Sequence, residues 1–386
     1  MTQSTKRGSS VAKNRAAINV SSRLPADRRL SPLTQALVAL APPFDLTVTN
    51  PTVVGISYPE LKVTGTREYI PDAKGLPAAR GFLGRELECD PEHLIITAST
   101  SEAYAIAFKT LLDPGGLVAA PRPSYPLVPH LAELEGVRVV DYVLDRDDGF
   151  RVDLTSLDEA LQRGARVVVV VSPNNPTGTI VGAHDMHAVA RLCARYGATL
   201  IVDRVFARYA LESRDVPLPR DLPGGVIELD GLSKRCGLPQ MKLAWMRVQG
   251  PPELTDALAW VSDAYLSTSG PAQAALPELW RAGADIAAAI EVRLRTNLAA
   301  LTRAVATVPA ITRLPVPAGW TAVLRLPCVV DDDAWVTEFA RAGVRVQPGY
   351  FYDFASDGYI VLSLLPEPQV FERAIAIVMR TCEAMV

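Results

Sequence analysis

Long apolar runs are missing from this chain of 386 residues. No stretch reaches the roughly 20 residues needed to cross a bilayer as a helix, so a helical membrane protein is excluded. Cysteine is scarce and scattered: Cys89, Cys193, Cys236, Cys328 and Cys382 are odd in number and show no Cys-x-x-Cys spacing. That argues against a disulfide framework or a zinc knuckle and for a reducing, cytoplasmic setting. Histidine is scarcer still. His184 and His187 stand one helical turn apart, but no acidic pair completes a ligand set with them or with His93 and His130, so no metal is expected. Net charge is also small, 39 basic against 42 acidic residues, and provides no global field to recruit nucleic acid or an anionic membrane.

What is present is a chain of 49% hydrophobic residues, long enough for one large domain and a smaller one. Residues 1–30 differ from the rest. Lys6, Arg7, Lys13, Arg15, Arg23, Arg28 and Arg29 sit among Ser, Ala and Asn with no apolar segment behind them, which reads as a flexible basic tail and not a secretory signal. From about residue 60, strand-like and helix-like segments alternate. The run 166–172 is almost wholly β-branched, as suits a strand buried on both faces. Such alternation implies an α/β sheet with right-handed crossovers. Helices are expected over 252–263, 271–282 and 286–308. After Pro309 the texture changes to short strands, a helix over 333–342 and a closing helix over 369–385. The expected organisation is an arm at 31–59 that packs on the small domain, a large α/β domain at 60–284 and a small α+β domain at 285–386.

Several residues then stand in an order that carries chemistry. Lys234 lies in Leu232-Ser233-Lys234-Arg235-Cys236-Gly237-Leu238-Pro239. Asp203 closes the apolar run Leu200-Ile201-Val202. Asn175 lies in Ser172-Pro173-Asn174-Asn175-Pro176-Thr177-Gly178, directly after the β-branched strand. Thr97-Ala98-Ser99-Thr100-Ser101-Glu102 opens a helix, and Tyr125 lies in Pro123-Ser124-Tyr125-Pro126. Each has an ordinary structural explanation as well: a surface lysine at a turn, helix caps, an Asn-Pro turn, a core tyrosine. Their joint order is what singles them out.

In that order the chain resembles the class I/II aminotransferases, the fold-type I enzymes dependent on pyridoxal 5′-phosphate (PLP), from about Asp45 to its end. The resemblance implies a mostly parallel central sheet flanked by helices, with a smaller α+β domain. It implies Lys234 as the amine that forms a Schiff base with the cofactor and then moves a proton. Asp203 would face the ring nitrogen, Asn175 the ring oxygen, and Tyr125 the ring plane. Ser99, Thr100, Ser101 and Ser233 would hold the phosphate, Ser99 standing where the family usually has glycine. Lys242 stands where an arginine is common. Tyr69, in Tyr69-Ile70-Pro71, would reach the phosphate of a neighbouring subunit in a homodimer, with Ser267 and Ser269 as weaker cross-subunit candidates.

Two departures accompany the matches. Phe206 stands where family members usually have a tyrosine that donates to the ring oxygen, so the cofactor–lysine linkage is expected to hold its proton to higher pH. Val361, in Tyr359-Ile360-Val361-Leu362-Ser363, stands where an arginine usually clamps the substrate carboxylate. Arg325 is a replacement cation on spacing alone, and Trp320 with residues 347–352 implies an aromatic, rather apolar pocket. Thr49 replaces a common glycine of the arm. The expected activity is transamination between a small-molecule amino donor and a keto or aldehyde acceptor. A PLP-dependent lyase, decarboxylase or specialised amine-forming enzyme is the alternative. An effector-binding domain of a transcription regulator is disfavoured, because about forty residues before Asp45 are too few for a DNA-binding domain.

Overall fold

The computed structural model describes residues 20–25, 29–61, 68–214, 217–266 and 268–386. Most of the basic tail and Ser267 lie outside them. The β-branched run forms Ala165–Val171 (β6), the strand on which the rest is organised. Val167, Val169 and Val171 pack with Ile201 and Leu229 on one face, while Val168 and Val170 pack with Leu200 and Val202 on the other. Two covered faces leave no position for a polar alternate, which explains the unbroken apolar sequence.

An arm strand, Phe44–Asp45 (β1), precedes the large sheet. That sheet is built from Leu94–Thr97 (β2), Leu117–Arg122 (β3), Arg138–Asp145 (β4), Arg151–Val152 (β5), β6, Thr199–Asp203 (β7), Val226–Gly231 (β8) and Ala244–Gln249 (β9), in the order β2-β9-β8-β7-β6-β3-β4-β5. The pairs β3–β4, β3–β6, β6–β7 and β7–β8 are parallel. β9 is antiparallel to both β8 and β2, so β2 runs in the same direction as the parallel strands. As a result β2, β3, β6, β7 and β8 all end on one edge of the sheet. The segments that leave those ends carry Ser99–Ser101, Tyr125, Asn175, Asp203 and Lys234, the carboxyl-end position where open α/β sheets bind ligands.

The long helix runs unbroken over Leu276–Val305, preceded by a short helix, Gly270–Ala274. Two separate helices were expected at 271–282 and 286–308. Pro277 sits in the first turn, where its missing N–H costs nothing, and the Ala- and Leu-rich stretch beyond has no breaker strong enough to interrupt it. The second sheet contains Thr312–Arg313 (β10), Thr321–Arg325 (β11), Gln347–Pro348 (β13) and Tyr359–Ser363 (β14), in the antiparallel order β10-β11-β14-β13. β1 pairs in parallel with Val344–Arg345 (β12), through Phe44↔Val344 and Asp45↔Arg345. The helix Pro32–Leu40, unforeseen within the arm, packs against the helix Asp332–Arg341. Its N-cap Ser31 accepts from the Thr34 amide at 3.1 Å.

Candidate active site

Lys234 sits in a one-turn helix, Leu232–Arg235, directly after β8. Four contacts hold that turn. Tyr209 Oη donates to the Lys234 carbonyl at 2.8 Å and Tyr58 Oη to the Gly237 carbonyl at 2.7 Å. The Leu232 amide reaches the Leu243 carbonyl at 2.9 Å. Arg235 Nε pairs at 2.7 Å with Asp230, whose other oxygen accepts from the Gly231 amide at 2.7 Å. The long helix presses against Cys236 at Gly283, where a Cβ would overlap the cysteine side chain. The backbone of the turn is therefore fixed while the lysine side chain is left to the cavity it lines, of about 410 Å³. Burial lowers the Lys234 pKa below its ordinary value, and Asp203 opposes the shift. The Nζ lies 5.1 Å from the centre of the Trp320 ring. A desolvated amine of this kind is closer to its neutral, nucleophilic form than a surface lysine.

Asp203 ends β7 and lines the same cavity. It accepts from the Val205 amide at 3.2 Å and from Tyr104 Oη at 3.1 Å. Desolvation raises its pKa to about 6, against which those hydrogen bonds and Lys234 pull downward. Tyr104 was not foreseen. It lies on the helix Thr100–Leu111 at a position that reads as core, and only the tertiary fold brings its hydroxyl to a strand end nearly a hundred residues away. Asn174 and Asn175 divide the labour at their turn. Asn174 is committed to the structure, accepting from Ser124 Oγ at 2.9 Å and donating to Thr177 Oγ1 at 2.9 Å. Asn175 lines the cavity, and its Oδ1 is buried with no hydrogen-bond partner.

The helix Thr100–Leu111 begins at the cavity. Ser99 is its N-cap, accepting from the Glu102 amide at 3.1 Å, and Glu102 reaches back past the cap to accept from the Ala98 amide at 2.5 Å, a capping-box-like pair shifted by one residue. The Ser99 hydroxyl is thus engaged. The first-turn amides of Thr100 and Ser101 have no intrahelical carbonyl to meet, and an anion suits that end of a helix. Thr100, Ser101 and Ser233 all line the cavity, as do Tyr125, Phe206 and Thr49.

Four sequence candidates lie elsewhere. Lys242 is exposed, its backbone left-handed at φ 49, and does not line the cavity. Arg325 ends β11 on the exposed side and is likewise outside it; its strand leaves the cavity after Trp320 and Thr321. Tyr69 is 67% exposed and is not among the residues that line its own chain's cavity. Val361 is buried in β14 opposite Val323 and Gln347, in the cluster that holds Tyr352. It packs behind the wall and is not part of the lining, whereas its cross-strand neighbour Gln347 is. Trp320 does line the cavity, held edge-on by Phe206 at 5.4 Å and by Tyr209 at 5.2 Å.

The model of "Aminotransferase class I and II" matches residues 55–370. The chain belongs to the class I and II aminotransferase family. Among similar curated proteins, the aspartate/prephenate aminotransferase of Thermus thermophilus is 27% identical over 354 residues, 88% of this chain and 89% of that protein. The aspartate aminotransferase of Streptomyces avermitilis is 28% identical over 193 residues, 49% of this chain and 47% of that protein. Over the first matches of this kind the chain spans about half the length of the curated relatives (47%, 38% and 58%). An aminotransferase structure from Escherichia coli superposes with a TM-score of 0.84 at 20% identity, covering 95% of this chain and 99% of that one. A double mutant of the Thermus thermophilus aspartate aminotransferase gives 0.82 at 22% identity, covering 95% and 100%. The fold expected from the sequence, the fold-type I α/β architecture, is therefore that of its family.

Proposed function

We propose that this family member is a PLP-dependent aminotransferase acting through Lys234. The observation that carries the reading is the convergence of three groups on one cavity: a desolvated lysine, a carboxyl that burial pushes up to about 6, and an Asn175 Oδ1 without a partner. Each is costly alone, and each suits a part of PLP. A protonated ring nitrogen would give Asp203 its missing counter-charge. The Asn175 carboxamide, oriented with its NH2 toward the ring oxygen, would give that oxygen a donor. The amides and hydroxyls of Thr100 and Ser101, with Ser233, fit a phosphate at a helix N-terminus. PLP, when bound, supplies an electron sink for the bonds at the substrate's amine-bearing carbon.

The chain's own residues supply the rest. Lys234 attaches the cofactor, and its amine, once displaced, holds and returns the proton taken from the substrate carbon. Asp203 keeps the ring nitrogen protonated. Tyr125 covers the ring, and the Phe206–Trp320 edge-on pair walls the cavity against water. Tyr209 and Tyr58 hold the backbone from which Lys234 swings.

Two features support a homodimer. Tyr69 and Ile70 stand 67% and 55% exposed, and Trp260 and Leu266 stand 79% and 70% exposed, an apolar surface that a second copy would cover. In that assembly Tyr69 would complete the partner's phosphate site, and Lys242 would stay outside. The separate sheets and the β1–β12 pairing support a large domain at 60–284, with the arm at 31–59 joined to a small domain at 285–386. Among the described residues no helix is long and apolar enough to cross a membrane, and the five cysteines are free, which fits a reducing cytoplasm.

Borohydride reduction of the holoprotein followed by digestion tests the attachment: a pyridoxyl label is expected on the Lys234 peptide and is lost in Lys234→Ala. Single-turnover spectra then separate transamination, which leaves pyridoxamine phosphate, from elimination or decarboxylation, which regenerate the aldehyde.

A further inference from the structure

The charges that line the cavity among the described residues are one cation, Lys234, and one anion, Asp203. The proposed function commits both to the cofactor, whose phosphate adds negative charge. What remains of the wall near Lys234 is neutral: Trp320, Phe206, Gln347, Tyr352 and Thr321. Its polar groups are tied together or unpaired. Tyr352 Oη donates to Gln347 Oε1, and Thr321 Oγ1 donates to the Pro176 carbonyl at 3.1 Å. The indole N–H of Trp320 is buried and has no hydrogen-bond partner. Behind this wall, where a cation on β14 could have reached inward, Val361 is 1% exposed and packed against Val323 and Tyr352. Arg325 points its charge to the outer surface.

From this we infer that the substrate is a primary amine whose reacting carbon carries no carboxylate, with an apolar or aromatic body and a neutral hydrogen-bond acceptor for the Trp320 N–H. The inference rests on the transaminase reading and narrows it. A carboxylate placed in this wall would be desolvated with no guanidinium or ammonium among the described lining residues to pair it, beside Asp203 and a phosphate, an arrangement burial penalises strongly. An amine and its aldehyde bring no such charge. In the exchange, the amine carbon is oxidised to an aldehyde whose oxygen comes from water. Its nitrogen would stay with the cofactor, whose carbon held by Lys234 would be reduced to the level of an amine as Lys234 is released as the free amine.

The test uses the PLP-loaded protein and matched pairs, 2-phenylethylamine against phenylalanine and 3-methylbutylamine against leucine. Conversion of the visible cofactor band is followed in single turnover. The amines are expected to react more efficiently than their amino acids by about tenfold or more. Amino acids reacting as well as the amines, or better, would overturn the inference and point to a cation supplied by a partner subunit. A second measurement needs no turnover. Calorimetric titration of the holoprotein with 3-phenylpropanamide and with 3-phenylpropionate should show the amide binding more tightly by roughly tenfold; equal or tighter binding of the carboxylate overturns the inference even if no amine reacts. In Gln347→Arg, which places a guanidinium in the lining, that order is expected to reverse; an unchanged preference for the amide would show that this wall does not contact the substrate and would likewise overturn it. If nothing in either series forms pyridoxamine phosphate while the amide still binds more tightly, the transaminase reading fails and the neutral site stands.

Discussion

Asp203 shows at the scale of one residue how a binding group is made costly in advance. Its ordinary pKa is 3.8 and burial carries it to about 6. Between those values the folded apoprotein holds a proton that the unfolded chain has released, so this carboxyl stabilises the apoprotein at low pH and the contribution is lost as pH rises toward and past 6. The loss is on the order of 2–3 kcal/mol. Asp203→Asn should flatten that part of the stability–pH curve, measured by urea unfolding of the apoprotein from pH 4 to 7, and should also weaken PLP binding. Tyr104 acts on the same carboxyl from behind, and its hydrogen bond lowers the Asp203 pKa. Tyr104→Phe is expected to raise it further and to loosen the cofactor several-fold, a loss of about 1 kcal/mol. Titration of the bound cofactor's visible band and an equilibrium measurement of PLP affinity check both effects. A purely structural role would lower thermal stability and leave the titration where it was. Trp320 belongs to this scale too: a rigid ring between Phe206 and Tyr209, it fixes one wall of the cavity and carries a donor the protein itself leaves unused.

At the scale of elements, the site is assembled from starts and ends. The Ser99 cap and the Glu102 carboxylate, which accepts from the Ala98 amide, hold the first turn of Thr100–Leu111, whose start lines the cavity. Ser99→Ala removes the acceptor for the Glu102 amide and should cost about 1 kcal/mol of stability, with a weaker hold on the cofactor's phosphate. Denaturant midpoints with and without PLP separate the two losses, since only the second grows with ligand concentration. The lysine turn is constrained in the same way by its neighbours. A Cβ on Gly231 would come within 2.7 Å of the Ala244 Cβ on the adjacent strand, so this position cannot accept a side chain without moving the start of the turn. The long helix Leu276–Val305 is the counterpart on the other side. It reads as two helices in the sequence because Gly283 interrupts a good helix former, yet the glycine is there for close approach to Cys236.

At the scale of the whole molecule, two sheets meet at one cavity: the parallel strands deliver Asn175, Asp203 and Lys234, and the antiparallel sheet delivers Trp320, Thr321 and Gln347. In the proposed function the first sheet would hold the cofactor and the second would face the substrate. A second copy of the chain covering Tyr69, Trp260 and Leu266 is the expected assembly, and sedimentation at micromolar concentration should show a dimer. Trp260→Glu would shift it toward monomer, and PLP affinity should fall in parallel if Tyr69 reaches the partner's phosphate site.

The order of motifs along the chain was enough to name the family and the parallel sheet, and it picked out residues 175, 203 and 234, which the fold brings to one cavity. Those groups sit at the ends of apolar strands, and a strand that must be buried on both faces leaves an unmistakable run such as Val167–Val171. Spacing failed where a side chain's direction mattered. Lys242 and Arg325 stand near site residues in the sequence but face outward, because one step along a strand or one left-handed backbone turns a side chain away. Val361 does lie beside the site, yet behind its wall. Residues 347–352 were legible as a pocket segment, and Gln347 and Tyr352 of it do line the cavity, but Tyr104 came there only through tertiary packing, since contacts between distant segments leave no local periodicity to read. Strand, turn and cap were written in short stretches of residues; which neutral groups line the cavity was decided by how two sheets close on each other.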